Sequence, residues 1–364
     1  MEFICTKCGR KEAVTTRAAH CACGGLWRLA YEPPKFDLAE IDRNEWSLFR
    51  YRRFLALDDE SWRSVSMGEG MTPVVRLDDN VLLKMDYFMP TLSFKDRGAA
   101  TLIAHCKSIG VQQVVQDSSG NAGNAVAAYC ARSGIGCEIF VPEGTSPKKI
   151  DMIRAHGAMC TVVPGTRDHC ADVCREKVER EGVYYANHVY NPFFYEGTKT
   201  YIYEVFEQLG RIPANLVIPV GNGTLFLGAM YALEHLFNSG VIDRFPQIIA
   251  LQSQNCDPLL RAAEHGKTEP EAVMPAPTIA EGIAIGKPMR GREILTLAEK
   301  HGVHFIHAPE EQILSARATL AKKGIYCEHT TAANYAAYLE YCRVYGKTSD
   351  TLITMCGAGL KSDH

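Results

Sequence analysis

A chain of 364 residues is longer than one hydrophobic core usually fills, so two domains are expected. Its hydrophobic fraction of 46%, charged fraction of 22% and formal net charge of −3 are those of an ordinary globular protein, with no electrostatic argument for a nucleic-acid or membrane partner. No stretch approaches the roughly 18 apolar residues that span a bilayer, and Met1 to Cys5 lacks the basic start and apolar segment of a secretory signal.

Residues 1–35 stand apart from the rest. Cys5-Thr6-Lys7-Cys8-Gly9 and Cys21-Ala22-Cys23-Gly24-Gly25 form a CxxC…CxC pair with glycine after each second cysteine. Two such knuckles can place Cys5, Cys8, Cys21 and Cys23 tetrahedrally around a structural zinc ion; a ribbon-shaped hairpin that keeps free thiols is the alternative. Four cysteines leave no open coordination position, which argues against catalytic zinc. The remaining cysteines are scattered singly through helix- and strand-like segments, as expected of a reduced, cytoplasmic protein.

Residues 31–35 read as a linker, followed by a mixed polar and aromatic arm to Val65. The turn cluster Gly68-Glu69-Gly70-Met71-Thr72-Pro73 then enters a strand at Val74-Val75. From there short apolar runs alternate with amphipathic helices. Strands at 111–116, 137–141, 159–163 and 183–186 alternate with helices at 121–132, 147–156 and 168–180. The first of these helices ends at Gly134, and the second has proline in its first turn. The theme repeats as helix 197–209, strand 216–220, helix 225–237 and strand 248–252. It closes with strand 303–307, helices 310–323 and 330–345, and strand 351–355. Such alternation predicts parallel sheets covered on both faces.

Three short segments carry chemistry. Lys95 lies in Ser93-Phe94-Lys95-Asp96-Arg97-Gly98, after the segment Leu82-Leu83-Lys84-Met85-Asp86 and before an alanine-rich helical stretch. A lysine beside two charges is commonly a solvated surface group. Here Phe94 and Gly98-Ala99-Ala100 predict partial burial, which favours the neutral amine that forms a Schiff base with an aldehyde. Ser118-Ser119-Gly120-Asn121 falls between a strand and a helix start, where hydroxyls and N–H groups suit a small carboxylate, or serve as an ordinary N-cap. Gly221-Asn222-Gly223-Thr224-Leu225 also follows a strand and opens a helix, so it is either a phosphate cradle or a bare turn. The pattern is GxGxxF and not GxGxxG, and no GxxxxGK[ST] loop occurs, so neither a dinucleotide nor a nucleoside triphosphate loop is supported. Taken together the three describe a pyridoxal-phosphate site: covalent anchor, substrate loop and phosphate cradle.

At these residues the chain resembles the threonine synthase group of pyridoxal-phosphate enzymes, in the fold family shared with serine/threonine dehydratases, cysteine synthases and the tryptophan synthase β-subunit. The resemblance runs through the cysteine ribbon, GEGMTP at 68–73, SFKDRG at 93–98, SSGNAG at 118–123, EGTKT at 196–200, PVGNG at 219–223 and GAGLK at 357–361. It implies that Lys95 is the Schiff-base lysine and the general acid/base. It also implies that Asn121 bonds the cofactor's 3′-oxygen and that Gly221, Asn222, Gly223, Thr224 and Leu225 hold its phosphate. Ser118, Ser119, Gly120 and Asn121 would meet the substrate. Cys356 falls where relatives put threonine or serine beside the pyridine nitrogen, unless it is a small core residue. A neutral group there makes the ring a weaker electron sink, which favours elimination and replacement over transamination.

Departures bear on the substrate. Threonine synthases usually carry a threonine after the STGN loop and an arginine in an NPxR segment, both helping to bind the phosphate of O-phosphohomoserine. The equivalent positions here are Ala122 and Phe194. The cradle reads GNGTL where GNGGN is usual, and the terminal motif GAGLK where GHGLK is usual. Each missing charge-assisted bond is worth roughly 1.5–3 kcal/mol. Lys148, Lys149, Arg167, Arg290 and Arg292 are the basic residues considered as replacements, each otherwise a solvated surface group.

The expectation is therefore an α/β protein of fold type II, the tryptophan synthase β-like fold, with two open parallel-sheet domains enclosing pyridoxal 5′-phosphate and a small zinc ribbon in front. The ribbon spans 1–35, the large cofactor domain 36–83 and 191–364, and the small mobile substrate domain 84–190. The implied activity is a threonine-synthase-like lyase that takes O-phosphohomoserine to threonine. The alternatives are a β-replacement synthase on a serine-type substrate and a serine/threonine dehydratase. A catalytically silent protein of this fold is the reading from another class. The resemblance also implies a homodimer acting on a small amino acid.

Overall fold

Three short strands open the chain: β1 (Glu2–Cys5), β2 (Lys11–Ala13) and β3 (Trp27–Ala30). β1 lies between the other two and pairs antiparallel with each, setting Phe3 opposite Glu12 and Leu29. The computed structural model describes residues 1–57 and 59–362. After the ribbon come β4 (Val74–Arg76), β5 (Val81–Lys84), α1 (Lys95–Ser108), β6 (Gln113–Gln116), α2 (Asn121–Ser133), β7 (Gly136–Pro142) and α3 (Pro147–Ala155). There follow β8 (Met159–Val163), α4 (Arg167–Glu181), β9 (Tyr184–Tyr185), α5 (Pro192–Leu209), β10 (Asn215–Pro219), α6 (Thr224–Asn238), β11 (Gln247–Ser253) and α7 (Pro258–Glu264). The last elements are α8 (Gly291–Lys300), β12 (His304–Ala308), α9 (Glu310–Ala321), α10 (His329–Tyr345), β13 (Thr351–Thr354) and α11 (Gly359–Ser362).

The chain divides into two compact units. The first comprises Met1–Pro34, Ala39–Gly70 and Lys95–Thr198, and the second Lys35–Leu38, Met71–Phe94 and Lys199–His364. In the first, four parallel strands run in the order β8-β7-β6-β9. In the second, six strands run β12-β11-β10-β13-β5-β4, all parallel except β4, which is antiparallel to β5. The inner strands β10, β11 and β13 are buried along almost their whole length, as continuous apolar runs covered on both faces must be. Val81 and Leu83 of β5, Val217 of β10, Ile249 of β11 and Ile353 of β13 share one apolar cluster with Ala333, Ala336 and Ala337 of α10.

Most predicted elements occur within a few residues of their expected bounds, and three differences are informative. α5 begins at Pro192, five residues before the expected start: Asn191 Oδ1 accepts the Phe193 N–H at 3.0 Å, and proline follows the capping residue. The arm expected to go with the large domain lies instead in the first unit from Ala39 to Gly70. There Trp62 stacks on Phe49 with centroids 5.0 Å apart, and the Ala56 N–H donates to Glu196 at 2.7 Å. α7 and α8 were not anticipated; each is short and set in a stretch rich in proline and glycine. Among the described residues no helix is long and apolar enough to cross a membrane.

Candidate active site

Three strand exits of the second unit lie side by side. β10 and β13 are parallel neighbours, pairing Val217 with Ile353, and β13 is parallel to β5, pairing Thr354 with Lys84. Their carboxyl ends therefore share one edge of the sheet, the edge at which open parallel sheets bind ligands. β10 leads into Gly221, Asn222 and Gly223, β13 into Cys356, and β5 through 85–94 to Lys95. Backbone pairing fixes the last link. Ser93 forms an antiparallel bridge with Gly357, and the Phe94 N–H donates to the Cys356 carbonyl at 2.9 Å. The chain thus reaches Lys95 directly from a residue bonded to Cys356. Lys95 is half-buried and is the first residue of α1, as its apolar surroundings in the sequence predicted.

The start of α6 is buried and lacks a side-chain cap. Gly223 occupies the N-cap at φ +79°, a left-handed conformation suited to glycine, while Thr224, Leu225 and Phe226 are almost wholly buried. A Cβ on Gly223 would come within 2.4 Å of Ile294, and one on Gly221 within 3.1 Å of Ile283 and Ile285. The first N–H groups of a buried helix need an acceptor, and the positive dipole end selects an anion. This cradle fits the phosphate of pyridoxal phosphate. Cys356 is 2% exposed, and Asn334 Nδ2 donates to the Thr354 carbonyl at 2.6 Å while lying 3.6 Å from the Cys356 sulfur. Glu328, which the sequence did not single out, also reaches this exit: a Cβ on Gly357 would stand 2.2 Å from its carboxyl carbon. An acid just ahead of a helix reads as an ordinary helix-start charge, which hid it.

In the first unit, Ser118, Ser119, Gly120 and Asn121 occupy the exit of β6 and the start of α2. Ser118 is buried and the other three half-buried. Gly120 is the N-cap and has no side chain to close it. The loop folds tightly over the helix, since a Cβ on Gly123 would lie 1.8 Å from the Ser118 carbonyl oxygen. Asp117 anchors it from behind, accepting bonds from Tyr185 Oη at 2.8 Å and Asn187 Nδ2 at 2.7 Å.

The neighbouring strand β9 exits towards His188, a residue the sequence reading missed because one polar residue in a loop breaks no period. Its ring is buried, Nδ1 lies 3.3 Å from Gln116 Oε1, and Phe194 meets it edge-on at 5.7 Å. Burial first, then the positive charges of Lys95 and Arg167, hold this imidazole well below its ordinary range, so it is neutral. Phe194 itself is fully buried, covering Gly98 so closely that a Cβ there would sit 2.2 Å from its ring. Of the basic residues considered as replacements, Arg290 is buried against Glu293 at 3.1 Å and Arg292 bonds Glu269 at 2.6 Å. Arg167 is exposed, and its charge reaches His188.

The four N-terminal cysteines converge: their sulfur atoms all lie within 4.8 Å of one another, with Cys5–Cys23 at 3.5 Å and Cys8–Cys21 at 3.7 Å. A tetrahedral zinc site with metal–sulfur bonds of about 2.3 Å has sulfur–sulfur edges of about 3.8 Å, so the donors fit. Burial acts to raise the Cys5 thiol, but N–H groups of Cys8 and Lys7 outweigh it and bring it down to about 6. The Arg10 N–H acts to lower Cys8, but its neighbours Cys23 and Cys5 push it up to about 12.

Parallel sheets whose strand exits lead to a half-buried lysine at one helix start and to a glycine-lined helix start without a side-chain cap define a cofactor-dependent α/β enzyme. The sequence profile described as "Pyridoxal-phosphate dependent enzyme" matches residues 65–357. The chain is 30% identical over 347 residues to the threonine synthase of Methanocaldococcus jannaschii, covering 91% of this chain and 85% of that one. It is also 30% identical over 331 residues to the threonine synthase of Halalkalibacterium halodurans, covering 87% and 90%. The processed form of threonine deaminase isoform 2 from Solanum lycopersicum superposes with a TM-score of 0.71 at 22% identity, covering 91% of this chain and 93% of that one, a likeness of fold. The chain belongs to the pyridoxal-phosphate dependent enzymes, and within them to the threonine synthase-like family.

Proposed function

We propose that the protein is a lyase that expels an oxygen-linked leaving group from a small amino acid, with conversion of O-phosphohomoserine to threonine as the reaction its relatives suggest. The observation that carries this reading is the shared edge of β10, β13 and β5, which brings together a glycine-lined helix start, the buried Cys356 thiol and the approach to a half-buried lysine. When bound, the cofactor supplies an aldehyde for covalent attachment and a conjugated ring that withdraws electrons from Cα. Lys95 is the attachment point, and its amine takes and returns the proton at Cα. The N–H groups of Gly221 to Leu225 hold the cofactor phosphate and Asn121 its 3′-oxygen. Ser118, Ser119 and Gly120 hold the substrate carboxylate. Cys356 keeps the ring nitrogen free of a carboxylate partner, which favours leaving-group loss. Cys5, Cys8, Cys21 and Cys23 hold structural zinc. The protein works as a homodimer in the cytoplasm.

A second reading keeps the cofactor and changes the outcome: β-replacement on a serine-type substrate, or dehydration to a keto acid. The burial of Phe194 over Gly98, where relatives carry a phosphate-binding arginine, favours it. One panel separates the two. O-Phosphohomoserine, O-phosphoserine, O-acetylserine, serine and threonine are each assayed for phosphate, threonine and keto-acid release. Threonine and phosphate from O-phosphohomoserine support the first reading, and turnover of serine-type substrates alone supports the second. Lys95→Ala is expected to lose both the visible absorbance of the bound cofactor and all turnover. A colourless wild-type protein with no affinity for pyridoxal phosphate would overturn both.

A further inference from the structure

The ribbon does more than cap the chain's start. Its metal-binding knuckles are built into the apolar cluster that holds the first turn of α5. Cys5 and Cys21 are 3% and 2% exposed, and both belong to one cluster with Phe3, Trp27, Ala56 and Phe193. Phe3 meets the Phe193 ring edge-on at 6.0 Å, and Phe193 stacks on His105 of α1 at 3.6 Å. On the other flank His20, beside Cys21, lies 6.4 Å from Tyr190. Leu26 and Ala19 join Val115, Tyr185, Val189 and Tyr190 in a second cluster. The ribbon therefore leans on residues 184–193 along both sides.

That segment is also the clamp on the β6 exit. Tyr185 and Asn187 hold the Asp117 carboxylate at 2.8 and 2.7 Å, and His188 faces Gln116 at 3.3 Å. Asn187 Oδ1 in turn accepts the Val189 N–H at 2.8 Å, fixing the loop's own turn. Asp117 is the residue before Ser118. A continuous path of contacts thus runs from the thiolates through Phe3, Leu26 and His20 to residues 184–193, and from there to 116–121.

A ribbon of three strands, none longer than four residues, cannot hold its shape on packing alone; in small folds of this kind the metal supplies the missing stability. We propose that metal held by Cys5, Cys8, Cys21 and Cys23 fixes residues 184–193 and, through them, the 117–121 loop, so that the ribbon is a positioning device for the amino-acid substrate. This rests on the reading of the four thiolates as a zinc site. Loss of metal then weakens substrate binding while the cofactor stays attached, because Lys95 and the start of α6 lie outside residues 117–121 and 184–193.

The test uses the full-length holoenzyme, with zinc measured by elemental analysis before and after chelation and after zinc is added back. Amide hydrogen exchange is followed in each state. Metal removal is expected to speed exchange at least tenfold in residues 184–193 and 117–121, with β10 and β13 unchanged and protection restored by zinc. The apparent Kd for the substrate, read from its perturbation of the cofactor's absorbance, should rise severalfold while cofactor content holds. Cys8→Ser and Cys23→Ser, which alter the two exposed ligands, should reproduce both effects. If exchange rises in the ribbon but not in 184–193 and 117–121, the coupling is overturned and the zinc site stands. If the protein neither carries nor takes up zinc, the metal reading falls and this proposal with it.

Discussion

A carboxyl group with no exposed surface needs either a cation or a proton, and among the described residues no cation bonds Glu69. Its Oε2 accepts the Met67 N–H at 2.7 Å and the Tyr129 hydroxyl at 3.1 Å, whereas Oε1 is buried without a hydrogen-bond partner. Burial outweighs the hydrogen bonds that favour the charged form, from the Met67 and Glu69 N–H groups and the Ser66 and Tyr129 side chains, and pushes the group up to about 7. The folded state therefore holds a proton that the unfolded state releases above its ordinary value near 4.5. Stability from this group is complete below that value and falls as pH rises towards 7, by on the order of 3 kcal/mol. Glu69→Gln keeps the shape of the protonated acid and removes the titration. Denaturation midpoints at pH 5 and pH 8 should differ less in the variant than in the wild type; equal differences would show that Glu69 is ionised throughout.

At the scale of elements, the contact between α1 and α5 explains why SFKDRG ends in glycine and EGTKT contains one. Phe194 covers Gly98, and a Cβ on Gly197 would lie 1.9 Å from the Arg97 carbonyl oxygen. Gly98→Ala is expected to cost about 1–3 kcal/mol by overpacking against the Phe194 ring. Combining it with Phe194→Leu should recover part of that loss, a coupling that urea denaturation of the two single variants and the double variant would measure. Additive losses would mean that the ring moves aside without strain. The same contact shows what could be read in advance. Lys95, the 118–121 loop and the 221–225 loop stood out because each sets small residues at or beside a helix start, and the structure places them at the starts of α1, α2 and α6. His188 and Glu328 were not, because their position depends on which strands neighbour each other, and sequence order does not state that β13 inserts between β10 and β5.

For the whole molecule, the alternation of strands and helices made the class of fold legible, while the division into units was only partly so. A large domain made of two separated segments was expected, but the arm at 39–70 gave no periodic signal to say which sheet it serves. Its tertiary contacts decide this: the Ala56 N–H donates to Glu196 and the Glu69 carboxyl accepts from Tyr129 of α2, both in the first unit. Both units are thus discontinuous in sequence, which has a consequence for fragments. Residues 199–364 alone contain β10, β11, β12 and β13 but lack β4 and β5, two of the six strands of their sheet. β13 would become an exposed edge, and the cluster would lose Val81 and Leu83, which are 1% and 0% exposed in the whole chain. Losing two such side chains removes roughly 3–6 kcal/mol of burial, comparable to the whole net stability of many domains. A fragment spanning 199–364 should therefore lack cooperative thermal unfolding by circular dichroism and should aggregate, whereas co-expression with 1–198 should restore a folded complex. A sharp, reversible transition in the isolated fragment would mean that β10 to β13 form a self-sufficient sheet and that β5 contributes little to it.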